Sequence, residues 1–185
     1  MRVEREVAPG GNLTPQLGFS EWVTMPHGHT TTFHGAEVIE GGKVRTEPGY
    51  LTDFWTERGV RFIERNKDRP FFLMLAYNGP YGLGASLRHP SRNRHAAHYA
   101  AQEMKSFPRR EAHPWLLGNK QFLNDVGAMR RYGAEVSGLD DGVGRVLDTL
   151  REHGLDERTL VVFTADQGWC GGQHGVWGMG DHTAR

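Results

Sequence analysis

The residues with the clearest chemical potential lie in one short segment near the end of the chain. Asp166 and Gln167 follow the apolar run Leu160–Thr164, and a glycine-rich stretch begins at Gly168. Such a β-branched run is typical of a buried parallel strand, and in open α/β sheets ligands bind where the strands end. A carboxylate beside an amide oxygen suits a hard divalent cation such as calcium. The alternative is that Asp166 only caps a turn, because Asp and Gly are ordinary turn residues.

The elements that would position this segment alternate between helix and strand. A helix is predicted from Leu51 to Asn66, with Thr52 or Asp53 as its cap, and an apolar strand follows at Phe71–Tyr77. This order predicts an α/β fold with a mostly parallel sheet flanked by helices. We expect the strands at 71–77 and 160–164 to be parallel members of one sheet.

The longest regular element is a helix predicted from about Asp125 to His153. Its apolar residues recur at spacings of three and four, which places them on one face. Several glycines interrupt this pattern, and each weakens a helix by up to about 1 kcal/mol relative to alanine. They indicate either close backbone packing against a neighbour or a break near Gly138.

The rest of the chain divides into an irregular lead-in, residues 1–48, and an α/β core, residues 49–185. In the lead-in, the Gly41-Gly42 pair predicts a tight hairpin within residues 36–45. In the core, residues 78–120 form a long loop, and a loop of that length inside a compact domain is usually functional or disordered. Its basic and histidine residues are either a solvated face or a rim that attracts anions.

Composition excludes several classes of protein. The chain has 185 residues, with 22 Lys plus Arg and 22 Asp plus Glu, so no global charge favours nucleic acid or a membrane surface. No apolar run approaches the roughly 18 residues that span a bilayer, and the first residues do not open a signal peptide. Cys170 is the only cysteine, so no intrachain disulfide forms, and cysteine usage does not indicate the cellular compartment.

Three segments, in order, resemble a known family. They are Pro70–Pro80 (PFFLMLAYNGP), Leu139–Leu147 (LDDGVGRVL) and the stretch that joins Asp166-Gln167-Gly168 to Gly172–Gly180 (GQHGVWGMG). Over roughly residues 49–185 they resemble the sulfatases of the alkaline-phosphatase-like superfamily. The resemblance implies part of a sulfatase fold and a metal-dependent hydrolase of sulfate esters.

The resemblance also implies roles for individual residues. It implies a divalent cation, Ca²⁺ with Mg²⁺ as the alternative. The implied metal ligands are Asp166 and Gln167, the implied substrate-binding residues are Asn78 and His174, and the catalytic positions are Tyr81 and His182. Two departures stand out, because Tyr81 occupies the place of a usual His and Met179 the place of a usual Lys. Since Met cannot stabilise anionic oxygens, either His182 supplies that charge or the substrate is held differently.

The family's nucleophile has no counterpart here. It is a formylglycine made from cysteine within a C/S-x-P-x-R motif, and Cys170 lies in Trp-Cys-Gly-Gly, without the Pro and Arg. We therefore expect the nucleophile outside this chain and interpret the chain as an internal fragment of a longer sulfatase. Two metal ligands are too few for tight binding, so the fragment alone is expected to be inactive.

Three functions compete at this stage. The first is a sulfuric ester hydrolase whose substrate is a small sulfate ester or a sulfated glycan. The second is a phosphodiesterase or phosphonate hydrolase of the same superfamily, and the third is a catalytically degenerate, non-enzymatic binding fragment. Nucleic-acid binding through residues 88–110 is disfavoured, because they contain no interleaved aromatic platform.

Overall fold

A computed structural model describes residues 13–26, 32–80, 87–166 and 168–178, and the first regular unit in it is a hairpin. Strand β1, His34–Glu40, pairs antiparallel with strand β2, Lys43–Tyr50. The turn residues Gly41 and Gly42 have φ angles of 59° and 72°, and a two-residue turn requires such positive values. The predicted hairpin is confirmed.

Helix α1, Leu51–Asn66, begins directly after β2 and has the predicted bounds. Its first turns bury Leu51, Phe54 and Trp55 against the inner face of the hairpin. The predicted cap is wrong, because Thr52 and Asp53 lie inside the first turn. The capping position belongs to Tyr50, whose side chain makes no capping hydrogen bond.

The predicted long helix is confirmed as α3, Val126–Glu152, which packs against α1. Asp125 caps it by accepting a hydrogen bond of 2.8 Å from the backbone N–H of Gly127. No break occurs near Gly138, because Gly138 and Gly142 serve close packing instead. A Cβ atom at Gly138 would lie 2.5 Å from Tyr50 Oη, and one at Gly142 would lie 2.6 Å from Thr56 Oγ1.

Short elements complete the described part of the chain. Helix α2, Ala96–Tyr99, lies in the long loop, and strands β3, Cys170–Gly171, and β4, Trp177–Gly178, form a small antiparallel pair. Three single 3₁₀ turns occur at Lys120–Phe122, Asp156–Arg158 and Gln173–Gly175. Among the described helices, none combines the length and apolar character needed to cross a membrane.

The parallel pairing of residues 71–77 and 160–164 is not found. Within the described ranges, neither segment belongs to a sheet or makes a backbone hydrogen bond with another segment. Along 71–77, partly buried residues alternate with exposed ones such as Phe72 and Met74. Along 160–164, most side chains are exposed, with Leu160 at 90% and Phe163 at 74%. A parallel strand needs neighbours on its edges and cover on both faces, and these segments lack that cover here.

Candidate active-site loop

Asp166 offers an available carboxylate at the start of the glycine-rich loop. Its side chain is exposed, and among the described residues no hydrogen bond or ion pair occupies it. Gln167, Tyr81, Met179 and His182 lie outside the described residues. The roles predicted for those four positions therefore stay predictions.

A carboxylate of this kind has the donor chemistry that a divalent cation requires. Across the described ranges, however, no group of three or more His, Cys, Asp or Glu side chains gathers as a metal site. Asp166 thus fits as one ligand, and the described residues do not make up a complete coordination shell.

Aromatic packing anchors the segment that follows Asp166. The indole of Trp169 stacks on the ring of Tyr132 in α3, with ring centres 3.9 Å apart and planes 9° apart. Trp177 meets Trp169 edge to face at 4.8 Å and is only 2% exposed. Offset and edge-to-face aromatic pairs are the favoured geometries. The two tryptophans therefore fix both ends of the glycine-rich loop to the long helix, an arrangement that no local sequence pattern predicted.

Glycines let this loop approach the long loop backbone to backbone. The N–H of His113 donates a hydrogen bond of 3.0 Å to the carbonyl oxygen of Gly175. A Cβ atom at Gly172 would lie 2.6 Å from the carbonyl oxygen of Pro108, and one at Gly175 would clash with that of Glu111. Both glycines also have positive φ angles, 104° and 73°, which only glycine adopts freely. The two loops therefore form one unit.

This approach brings His174 and Arg110 to the lining of one cavity. Both side chains are exposed, and together with Pro108 and Gln173 they line a cavity of about 350 Å³. His174 was predicted as a substrate-binding residue. The sequence placed Arg110 only within a basic stretch, and its meeting with His174 was missed.

The other predicted substrate-binding residue, Asn78, is engaged with α1. Its Oδ1 atom accepts a hydrogen bond of 3.0 Å from the indole N–H of Trp55. The next residue, Gly79, lies against the start of the helix, where a Cβ atom would be 3.2 Å from Thr52 Oγ1. The turn is thus seated on α1, and its proximity to Asp166 stays a prediction.

Cys170 behaves as a packing residue. It is half-buried in β3 and forms no disulfide, and burial raises the pKa of its thiol. A raised pKa keeps the thiol protonated at neutral pH, whereas an attacking cysteine needs its thiolate. The geometry agrees with the interpretation that Cys170 is not a nucleophile.

Comparison with known proteins identifies a family and several relatives of this chain. A family model described as Sulfatase matches residues 9–182. The uncharacterized sulfatase YdeN of Escherichia coli is 26% identical over 153 residues, which cover 82% of this chain and 23% of the relative. Human iduronate 2-sulfatase is 30% identical over 149 residues, which cover 66% of this chain and 26% of the relative.

A solved structure shares the fold. It is a protein from a glycosaminoglycan-metabolism locus of Bacteroides thetaiotaomicron, with a TM-score of 0.59 and 24% identity. The match covers 77% of this chain and 30% of that protein. The chain thus spans about a quarter of the length of these relatives.

Proposed function

Because this chain belongs to the sulfatase family, we propose that it is part of a metal-dependent hydrolase that cleaves sulfate esters. The observation that supports the proposal is the Asp166 carboxylate, exposed and unengaged among the described residues, on a loop that Trp169 anchors to the long helix. An anchored loop with one available carboxylate is suited to a charged ligand, because little order is lost when the ligand binds.

In this proposal Asp166 and Gln167 would hold the cation, calcium or else magnesium. When bound, the cation would supply charge stabilisation at the ester oxygens. Asn78 and His174 would bind the sulfated substrate, and Tyr81 and His182 would serve the reacting group. The formylglycine nucleophile would come from outside this chain.

The proposed substrate is a sulfate ester on a sugar. The relative named iduronate 2-sulfatase supports a sulfated glycan as the substrate. The cavity lined by Arg110 and His174 has a volume of about 350 Å³, which is room for part of a sugar ring.

The test uses the longest reading frame that contains this chain, expressed with calcium. We expect hydrolysis of 4-nitrocatechol sulfate that EDTA abolishes, and no comparable hydrolysis of a bis-aryl phosphodiester. Asp166→Ala should remove the activity, and Asp156→Ala, an exposed acid in the turn at 156–158, should retain it. Phosphodiester cleavage without sulfate release would establish the alternative hydrolase instead.

A further inference from the structure

We infer that Arg110 and His174 form a subsite for a second anionic group of the substrate, a sulfate or a carboxylate beyond the ester that is cleaved. The inference rests on the proposed function and names the substrate class as a sugar with at least two negative groups. It starts from the cavity of about 350 Å³ that these two side chains line with Pro108 and Gln173.

The backbone contact of two loops frames the cavity. The His113–Gly175 hydrogen bond and the close approach of Gly172 to Pro108 hold its two sides together. Asn124 pins the backbone of Arg110 by donating to its carbonyl oxygen at 2.7 Å and accepting from its N–H at 3.2 Å. A site whose frame is already ordered loses little entropy on binding.

The guanidinium of Arg110 is an available cation at this cavity. Its neighbours are engaged, since Arg109 donates to the carbonyl oxygens of Phe107 and Glu103, and Lys105 pairs with the Glu103 carboxylate at 2.7 Å. Among the described residues, no acceptor occupies the Arg110 side chain, which is exposed. A guanidinium binds sulfate or carboxylate through two parallel hydrogen bonds, so an anionic group is its natural ligand.

The turn that carries His174 has a defined backbone. The φ angle of His174, 53°, lies in the left-handed region, where histidine, like asparagine, occurs more often than most residues. The flanking residue Gln173 uses its Oε1 atom to accept from the Gly171 N–H at 2.5 Å, so this turn is well defined. The exposed imidazole is therefore carried to the cavity by an ordered turn.

The test is calorimetry on the 185-residue chain with two probes, a glucosamine 6-sulfate monosaccharide and a trisulfated heparin disaccharide. Arg110→Gln should weaken disaccharide binding by about tenfold or more, the usual size of a lost charged hydrogen bond. His174→Asn, which tolerates the backbone angle, should weaken it by a smaller factor without lowering the melting temperature. Arg88→Gln, a matched exposed cation of the same loop that does not line the cavity, should change it less than twofold.

Each outcome decides the inference separately from the proposed function. Absence of disaccharide binding by the wild-type chain, or equal losses for Arg110→Gln and Arg88→Gln, would overturn the subsite. If Arg110→Gln lowered the affinity for the monosaccharide and for the disaccharide by the same factor, the subsite would also be overturned, because a site for a second anion must distinguish the two sugars. Hydrolysis of an aryl sulfate by the longer protein tests the proposed function without involving the second anion, so the two can fail independently.

Discussion

Tyr50 Oη donates a hydrogen bond of 2.6 Å to Glu135 Oε2, which ties the start of α1 to the middle of α3. Glu135 is 2% exposed, and its other oxygen accepts 2.8 Å from the Ser91 hydroxyl. Asn93 closes the cluster by donating to the carbonyl oxygen of Ala134 at 2.7 Å. One buried carboxyl thus joins the hairpin, the long loop and the long helix.

This cluster should make stability depend on pH. Burial raises the pKa of Glu135, and the hydrogen bonds from Tyr50 and Ser91 only partly oppose it. A carboxyl whose pKa is higher in the folded state contributes stability that is complete below the ordinary glutamate pKa. That stability is lost as pH rises through the raised pKa. The melting temperature of the wild type should therefore fall across this interval, and Glu135→Gln should flatten the fall.

Glu135→Ala provides the contrast to that isosteric change. It leaves Tyr50 and Ser91 without their acceptor, so we expect the free energy of unfolding to drop by about 2 kcal/mol at low pH and by less above the raised pKa. If Glu135→Gln kept the full pH dependence in thermal melts, another group would be responsible.

The glycines of α3 should differ sharply in their response to alanine. Gly138→Ala places a methyl group against Tyr50 Oη, where a Cβ atom would be 2.5 Å away, and should destabilise by about 1–3 kcal/mol. Gly144 has no atom within 4 Å of a Cβ position, so Gly144→Ala should stabilise by about 0.5–1 kcal/mol through helix propensity. Urea unfolding of both variants measures the difference. Similar effects at the two positions would refute the close-packing explanation.

Local sequence patterns predicted the local structure well. The Gly41-Gly42 pair gave the hairpin, and apolar periodicity gave helices α1 and α3, because these depend on neighbours in the sequence. The pairing of 71–77 with 160–164 is not found among the described residues, since an apolar run specifies extended backbone but no partner. The meeting of Arg110 with His174 depends on the approach of Gly172 and Gly175 to a distant loop, which no local pattern encodes.

Removal of the Tyr132 ring should loosen the glycine-rich loop while leaving α3 intact. Tyr132→Leu removes the aromatic stack on Trp169. Such a stack stabilises by about 1 kcal/mol in addition to the burial of apolar surface. We expect faster hydrogen exchange across residues 169–178 and a red shift of tryptophan emission. Val136→Ala, a half-exposed position one turn along the same helix, is the control. Unchanged exchange in Tyr132→Leu would show that the stack does not anchor the loop.

The 185-residue chain alone should not turn over an aryl sulfate, even with calcium present. Asp166 and Gln167 provide too few oxygens for a cation that takes six or more, and no cysteine lies in the nucleophile motif. The measurement is release of 4-nitrocatechol at high protein concentration, with a commercial sulfatase as the positive control. Calcium-dependent release by purified chain would contradict the fragment interpretation.

Cys170→Ser should have almost no effect on the activity of the longer protein that contains this chain. Cys170 lies in β3, half-buried, and burial raises the pKa of its thiol, so little thiolate is present at neutral pH. We expect iodoacetamide to alkylate the folded chain much more slowly than the urea-unfolded chain. We also expect sulfatase activity within about twofold of wild type, because a Ser hydroxyl fits the space of a thiol at a packing site. If Cys170→Ser abolished activity while the melting temperature stayed unchanged, the nucleophile would lie in this chain after all. The assignment of Asp166 to a partial site would then have to be abandoned.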